Sequence, residues 1–236
     1  MAIDNSPAIE IQSLTKTYGA NRAVDNLDLS LSGNQIVGLL GQNGCGKTTL
    51  LKVLAGVLAD YSGDVRIAGH EPGPQSKAKV AFLPDASLLS DGATPRFCIG
   101  MYADFFADFN RTKAAELLDF FGLDLDMRLK QMSKGMREKV QIALVMARRA
   151  EVYLLDEPIS GVDPAARQVI LDGIISSAAD EALVVVSTHL IHDLEPVLDA
   201  AVIMRAGTVV LTGAVDDLRV EHQMSLDALF RKVHAA

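Results

Sequence analysis

A glycine-rich octapeptide, Gly41-Gln42-Asn43-Gly44-Cys45-Gly46-Lys47-Thr48, follows directly on the apolar run Ile36-Val37-Gly38-Leu39-Leu40. Few short patterns constrain a chain so tightly. An apolar run of that length reads as a buried strand, and the glycines allow a sharp turn in which backbone N–H groups converge. The segment Thr48-Thr49-Leu50-Leu51-Lys52-Val53-Leu54-Ala55-Gly56-Val57-Leu58 then reads as a buried helix. A helix N-terminus carries free N–H groups and positive partial charge, so strand, turn and helix together make a cradle for phosphate oxygens. In such a cradle Lys47 reaches the β- and γ-phosphates of a nucleotide, and the Thr48 hydroxyl completes a magnesium shell. Gly41, Gln42, Asn43, Gly44, Cys45, Gly46 and Thr49 are the remaining candidate contacts.

The texture on either side of this loop fits an α/β fold. Residues 8–40 hold strand-like pieces (Ile9 to Ile11, Ala23-Val24, and Leu27, Leu29 and Leu31 in alternation), broken at Tyr18-Gly19 and Ser32-Gly33-Asn34. They predict antiparallel β-structure leading into the loop strand. Short strands are predicted at Val65 to Ile67 and Val80 to Leu83, and continuous apolar strands at 152–155, 183–186 and 201–204. Alternating with helices, these imply a mainly parallel sheet covered on both faces. From about 86 to 149 the texture is helical. There Met101, Tyr102, Phe105, Phe106 and Phe109 recur at helical spacing, either as helix-packing core or as an exposed docking surface. The expectation is one domain over 1–236. Its core is 1–85 and 150–236, with an antiparallel β part at the N-terminus and a helical insert at 86–149.

Composition excludes several classes. The net charge of −8 and pI near 5.1 argue against the basic face that binds nucleic acid and against a polybasic membrane anchor. Two cysteines, Cys45 and Cys98, form neither a disulfide framework nor a metal spacing, which points to a reducing, cytoplasmic setting. The first residues, with Asp4 and Glu10, lack a signal-peptide core. No apolar run reaches the length that spans a bilayer, so a membrane role would need a membrane-spanning partner.

A second motif narrows the chemistry. Val152-Tyr153-Leu154-Leu155-Asp156-Glu157 is an apolar strand ending in two carboxylates. Ligands of parallel sheets bind at the carboxyl ends of strands, so both groups would face the phosphate cradle. Asp156 suits a water-mediated magnesium contact and Glu157 a base that polarises the attacking water. The plainer alternative is an acidic helix cap.

With these motifs in order, the chain resembles the ATP-binding subunits of ABC transporters over nearly its whole length. Met132-Ser133-Lys134-Gly135-Met136 is similar to the family signature Leu-Ser-Gly-Gly-Gln. Ser160-Gly161-Val162-Asp163 is similar to the loop that crosses the family's dimer interface, and Ser187-Thr188-His189 to its switch histidine. The resemblance implies a P-loop NTPase fold, with Tyr18 stacking on adenine and His189 holding the γ-phosphate. It further implies a head-to-tail dimer, in which Ser133 and Gly135 of one copy close on ATP and Mg²⁺ held by the other. A homodimer and a separate polytopic membrane subunit are the expected partners, with the chain peripheral on the cytoplasmic face. Two departures stand out. Asp85 replaces the usual glutamine after Pro84, either as a water-mediated metal contact or as a helix cap. Lys134 and Met136 replace a glycine and a glutamine, a form that resembles bacterial exporters. The alternative is a soluble ATPase of the same family that drives a cytosolic assembly without transport.

Overall fold

The computed structural model describes residues 7–178 and 181–235, so Asp4 lies outside the described residues. The chain opens with β1 (Ile9–Tyr18) and β2 (Asn21–Leu31), then β3 (Gln35–Leu40), α1 (Lys47–Leu54) and β4 (Ser62–Ile67). Next come α2 (Pro74–Lys79), β5 (Val80–Leu83), α3 (Pro95–Phe105), α4 (Arg111–Phe120) and α5 (Lys134–Met146). The rest is β6 (Val152–Asp156), α6 (Pro164–Ser177), β7 (Leu183–Thr188), α7 (Ile191–Leu194), β8 (Ala200–Arg205), β9 (Thr208–Ala214), α8 (Val215–His222) and α9 (Leu226–Ala235).

Six strands form the larger sheet in the order β5-β6-β7-β3-β8-β9, parallel except for β9, which closes the edge antiparallel to β8. The order is out of sequence because parallel neighbours need crossover helices between them. β2, β1 and β4 form a separate antiparallel sheet. The sequence-level expectation of a mixed α/β fold holds, with the added edge strand β9. Central strands are buried on both faces, and their side chains divide by parity. Val152 and Leu154 join the core that α1 and the three-stranded sheet share, whereas Tyr153 and Leu155 join the core beneath α5 and α6.

Helix α1 ends sooner than its apolar run suggested. Gly56 takes a φ of 66°, and the Lys52 carbonyl accepts from both Val57 and Leu58, which turns the chain out of the helix. Helix α3 also stops early, at Phe105, and its aromatics divide between the two readings. Phe106, Tyr102 and Phe109 cluster, with centroid separations of 5.4 and 5.7 Å from Tyr102, whereas Phe97 and Phe105 are 63% and 79% exposed.

Beneath that cluster lies Arg148, only 5% exposed, just past the end of α5. Its guanidinium donates to the Val80 carbonyl at 2.6 Å and the Ala78 carbonyl at 3.2 Å, pairs with Asp108 at 3.1 Å, and lies 4.2 Å from the Phe106 ring centre. β5 is the outer strand of its sheet, and this one side chain covers its edge and ties it to the turn between α3 and α4.

Candidate nucleotide site

The parallel strands β3, β6 and β7 lie side by side and end at the same rim, and the candidate residues sit there. The glycines of the loop after β3 are dictated by space. Gly46 has a φ of 110°, and a β-carbon on it would lie 2.2 Å from the Ala23 carbonyl oxygen; at Gly41 it would lie 2.3 Å from the Cys45 sulfur. The loop is braced from behind by the Gly207 N–H, which donates to the Cys45 carbonyl at 2.9 Å. Gly46 caps α1 with no side-chain acceptor, and the N–H groups of Gly46 and Thr48 meet no acceptor among the described residues. Such a row of free donors at a helix N-terminus fits an anion. Burial pushes the Cys45 thiol up, with Lys47 pulling the other way, so it is a small packed residue of the loop.

Lys47 is buried and folds back over the loop. Its Nζ donates to the Gly41 carbonyl at 2.7 Å and lies 3.4 Å from Oε1 of Glu157. His189 Nδ1 lies 3.0 Å from the other oxygen, Oε2. Glu157 is therefore held between the loop lysine and the histidine after β7. Neither acidic residue serves as a helix cap: Asp163 caps α6, accepting from Ala166 N at 3.0 Å. Glu157 itself has a φ of 50°, in the left-handed region that a residue with a side chain adopts only when its neighbours hold it there.

Asp156 is 1% exposed. Its Oδ1 accepts from the Ser187 hydroxyl at 2.6 Å, while Oδ2 is buried without a hydrogen-bond partner. An anionic oxygen left so is costly unless a cation or water meets it. Together with the Thr48 hydroxyl and phosphate oxygens it suits a hard, oxygen-loving divalent ion such as magnesium. Among the described residues no three His, Cys, Asp or Glu side chains form a metal cluster by themselves. Asp85 is exposed beyond β5, and the next helix, α3, is capped by Thr94, so Asp85 caps none. Its charge also acts on Glu138 of α5. Burial chiefly raises that carboxyl to about 7, with Asp85 adding to the rise and Lys134 and Arg137 opposing it.

The remaining candidates lie farther out. Tyr18, at the tip of β1, is half exposed, and the Lys16 ammonium sits 5.1 Å from its ring centre. Ser133 caps α5, its one side-chain hydrogen bond taken from Met136 N at 3.2 Å, so the signature-like segment does begin a helix. Lys134 folds over the loop at Gly161, where a β-carbon would come within 2.4 Å of its Nζ. His192 is exposed, as befits a surface residue. Sequence reasoning missed Ser187's role, Lys16 and Arg148; only the register of distant strands could have exposed the first.

Comparison with known proteins agrees with this geometry. The sequence profile of the ABC transporter family matches residues 24–160. The uncharacterized ABC transporter ATP-binding protein YxlF of Bacillus subtilis is 31% identical over 94% of this chain and 76% of its own length. The Nod factor export ATP-binding protein I of Paraburkholderia xenovorans is 31% identical, covering 88% and 71%, and the daunorubicin resistance ATP-binding protein DrrA3 of Streptomyces coeruleorubidus 30%, covering 91% and 70%. A solved ATP-binding subunit of an ABC transporter superposes with a TM-score of 0.85 at 27% identity, covering 96% of this chain and 99% of that one. The family match over more than half of the chain and these relatives together show that the chain belongs to the ABC transporter family, whose ATP-binding subunits are ATPases.

Proposed function

We propose that two copies of this chain close head to tail around two Mg-ATP molecules and drive a separate polytopic membrane subunit in export. Ser133 is the observation that carries the dimer. It stands exposed at a helix N-terminus, and nothing among the described residues joins it to the phosphate loop of its own chain. A second copy can present Ser133 and Gly135 to the γ-phosphate, with the dipole of α5 behind them. The names of the Nod factor export and daunorubicin resistance relatives support export, and the Lys134 and Met136 form of the signature agrees with them. No helix among the described residues is long and apolar enough to cross a membrane, consistent with membrane attachment through a partner on the cytoplasmic face.

In this reading the chain works as one ATP-binding unit. Tyr18 stacks on adenine, and the N–H groups of Gly41 through Thr49 cradle the phosphates. Lys47 leaves Glu157 for the β- and γ-phosphates, which frees the glutamate to polarise the attacking water. His189 passes from Glu157 to the γ-phosphate and keeps the two aligned. Asp156 and Thr48 would hold magnesium, with Asp85 as a further contact through water; the ion would supply charge neutralisation on the phosphates. Catalysis then consists of positioning and charge stabilisation rather than covalent chemistry.

The test is E157Q. With ATP and Mg²⁺ it should retain nucleotide and run as a dimer in size-exclusion chromatography with light scattering. A monomer that still hydrolyses ATP would refute both the base and the dimer. Co-purification in mild detergent tests the rest: a polytopic membrane protein supports transport, and a soluble assembly instead would overturn it.

A further inference from the structure

We propose that Ser187 is a positioning residue that fixes the metal-holding and water-polarising carboxylates relative to each other, an inference that rests on the roles proposed above for Asp156 and Glu157. Ser187 is fully buried in β7, where the parallel register sets it opposite Asp156. It follows three buried valines, Val184, Val185 and Val186, in a strand that any apolar residue would suit. A hydroxyl there is unfavourable unless its hydrogen-bonding capacity is used. Both halves of it are. The Oγ–H donates to Asp156 Oδ1 at 2.6 Å, and the oxygen accepts from the Glu157 N–H at 3.0 Å. The Ser187 carbonyl shares that same N–H at 3.1 Å. The next residue shows the contrast: Thr188 is equally buried, but its hydroxyl serves only the Leu190 N–H, at 2.9 Å.

Two effects follow from this clamp. By holding one oxygen, Ser187 sets the plane of the Asp156 carboxylate and leaves the other oxygen bare. By holding the Glu157 N–H from two oxygens, it secures the left-handed backbone that aims the glutamate side chain at Lys47 and His189. The proposed roles of Lys47 and His189 toward phosphate require their contacts to Glu157 to open when nucleotide binds. The bonds from Ser187 lie in the sheet and persist. One hydroxyl therefore sets the spacing between the place where metal is held and the place where water is polarised.

The experiment compares S187A and S187T with the unmodified chain, with D156N and E157Q in parallel. Mn²⁺ binding to the ADP complex is followed by electron paramagnetic resonance, alongside metal-free binding of a fluorescent ADP and steady-state ATPase kinetics. Loss of an outer-shell partner typically weakens metal affinity or activity about 10–100-fold. S187A should bind Mn²⁺ about 10-fold more weakly and lose kcat by a comparable factor. Its metal-free nucleotide affinity and KM for ATP should stay within about 3-fold, as expected for a group that acts through the carboxylates. S187T, which keeps the hydroxyl, should recover both losses. Unchanged Mn²⁺ affinity and kcat in S187A would overturn the proposal. So would a uniform loss of metal binding, nucleotide binding and melting temperature, which marks a merely structural serine. S187A decides the matter even if the extra methyl of S187T is not accommodated. If instead D156N binds Mn²⁺ normally, or E157Q turns over ATP normally, the assigned carboxylate roles fail independently of Ser187.

Discussion

Replacing Arg148 with methionine should remove a large share of the stability of this chain, although Arg148 touches no nucleotide-site residue. Methionine keeps much of the aliphatic stem and loses the guanidinium. That group is buried, its partner Asp108 has a side chain 24% exposed, the Val80 carbonyl lies on a strand edge that no other described strand covers, and the Ala78 carbonyl lies in the last turn of α2. Deleting one partner of a buried pair costs about 3–5 kcal/mol. Asp108 can turn partly into water, which favours the lower end, while the cation over Phe106 is worth about 1 kcal/mol more. The expected loss is about 4 kcal/mol, from a total that for most domains is about 5–15 kcal/mol. Urea unfolding of the nucleotide-free protein would measure it, with an unchanged m-value confirming that the same structure unfolds. D108N should cost less, because its amide can still accept from the arginine, and the double mutant should lose less than the two single losses combined. A loss below about 1 kcal/mol for R148M, with no coupling to D108N, would refute the view that this side chain joins the helical insert to β5.

Glu138 gives a pH-dependent test. Its carboxyl is raised to about 7 by burial, above the ordinary glutamate value of 4.5, so the folded state favours the protonated form. Its penalty is therefore absent below pH 4.5, grows as pH rises, and is complete above about pH 7. E138Q, which mimics the protonated acid, should match the unmodified chain at pH 4.5 and exceed it by about 1–2 kcal/mol at pH 8, after discounting for partial exposure. A gap constant across pH would contradict this. On α3, F105S should change stability by less than about 0.5 kcal/mol, whereas F106S should cost about 2–3 kcal/mol through lost packing on Tyr102 and Arg148. Thermal melts that rank the two the other way would reverse the assignment of exposed and packed aromatics.

The local parts of the site were legible from the residues alone. The cradle at Gly41 to Thr48 and the carboxylates of Asp156 and Glu157 each lie within one strand and its exit, and the family resemblance supplied the order of the rest. Less legible were features set by pairing across distance. Ser187 meets Asp156 only because β6 and β7 align in one particular register, and a shift of one residue would turn the hydroxyl to the other face. Arg148 reads as a surface arginine beside Arg149 until α5 is packed, when it turns out to cover the edge of β5. The spacing of Met101 and the four aromatics of residues 101–109 could not show that the helix would stop at Phe105, because periodicity continues through a break that the Phe109 pairing with Arg148 reveals. Asp85 was open between cap and metal contact, and the absence of a helix start beside it removes the cap.

The exposed apolar side chains of α3 bear on how the protein behaves in solution. Phe97 and Phe105 are exposed and Met101, between them at spacings of four, is partly buried, together a stripe along one side of the helix, and Leu88 is 87% exposed shortly before it. Copies that meet through such a stripe tend to coagulate, and what opposes this is mutual repulsion from the net charge of −8. That repulsion fades as pH falls towards the pI near 5.1. Protein made without whatever covers the stripe should therefore stay dispersed in mildly alkaline, low-salt buffer. It should become turbid as the solution is acidified or salted, before the fold itself is lost.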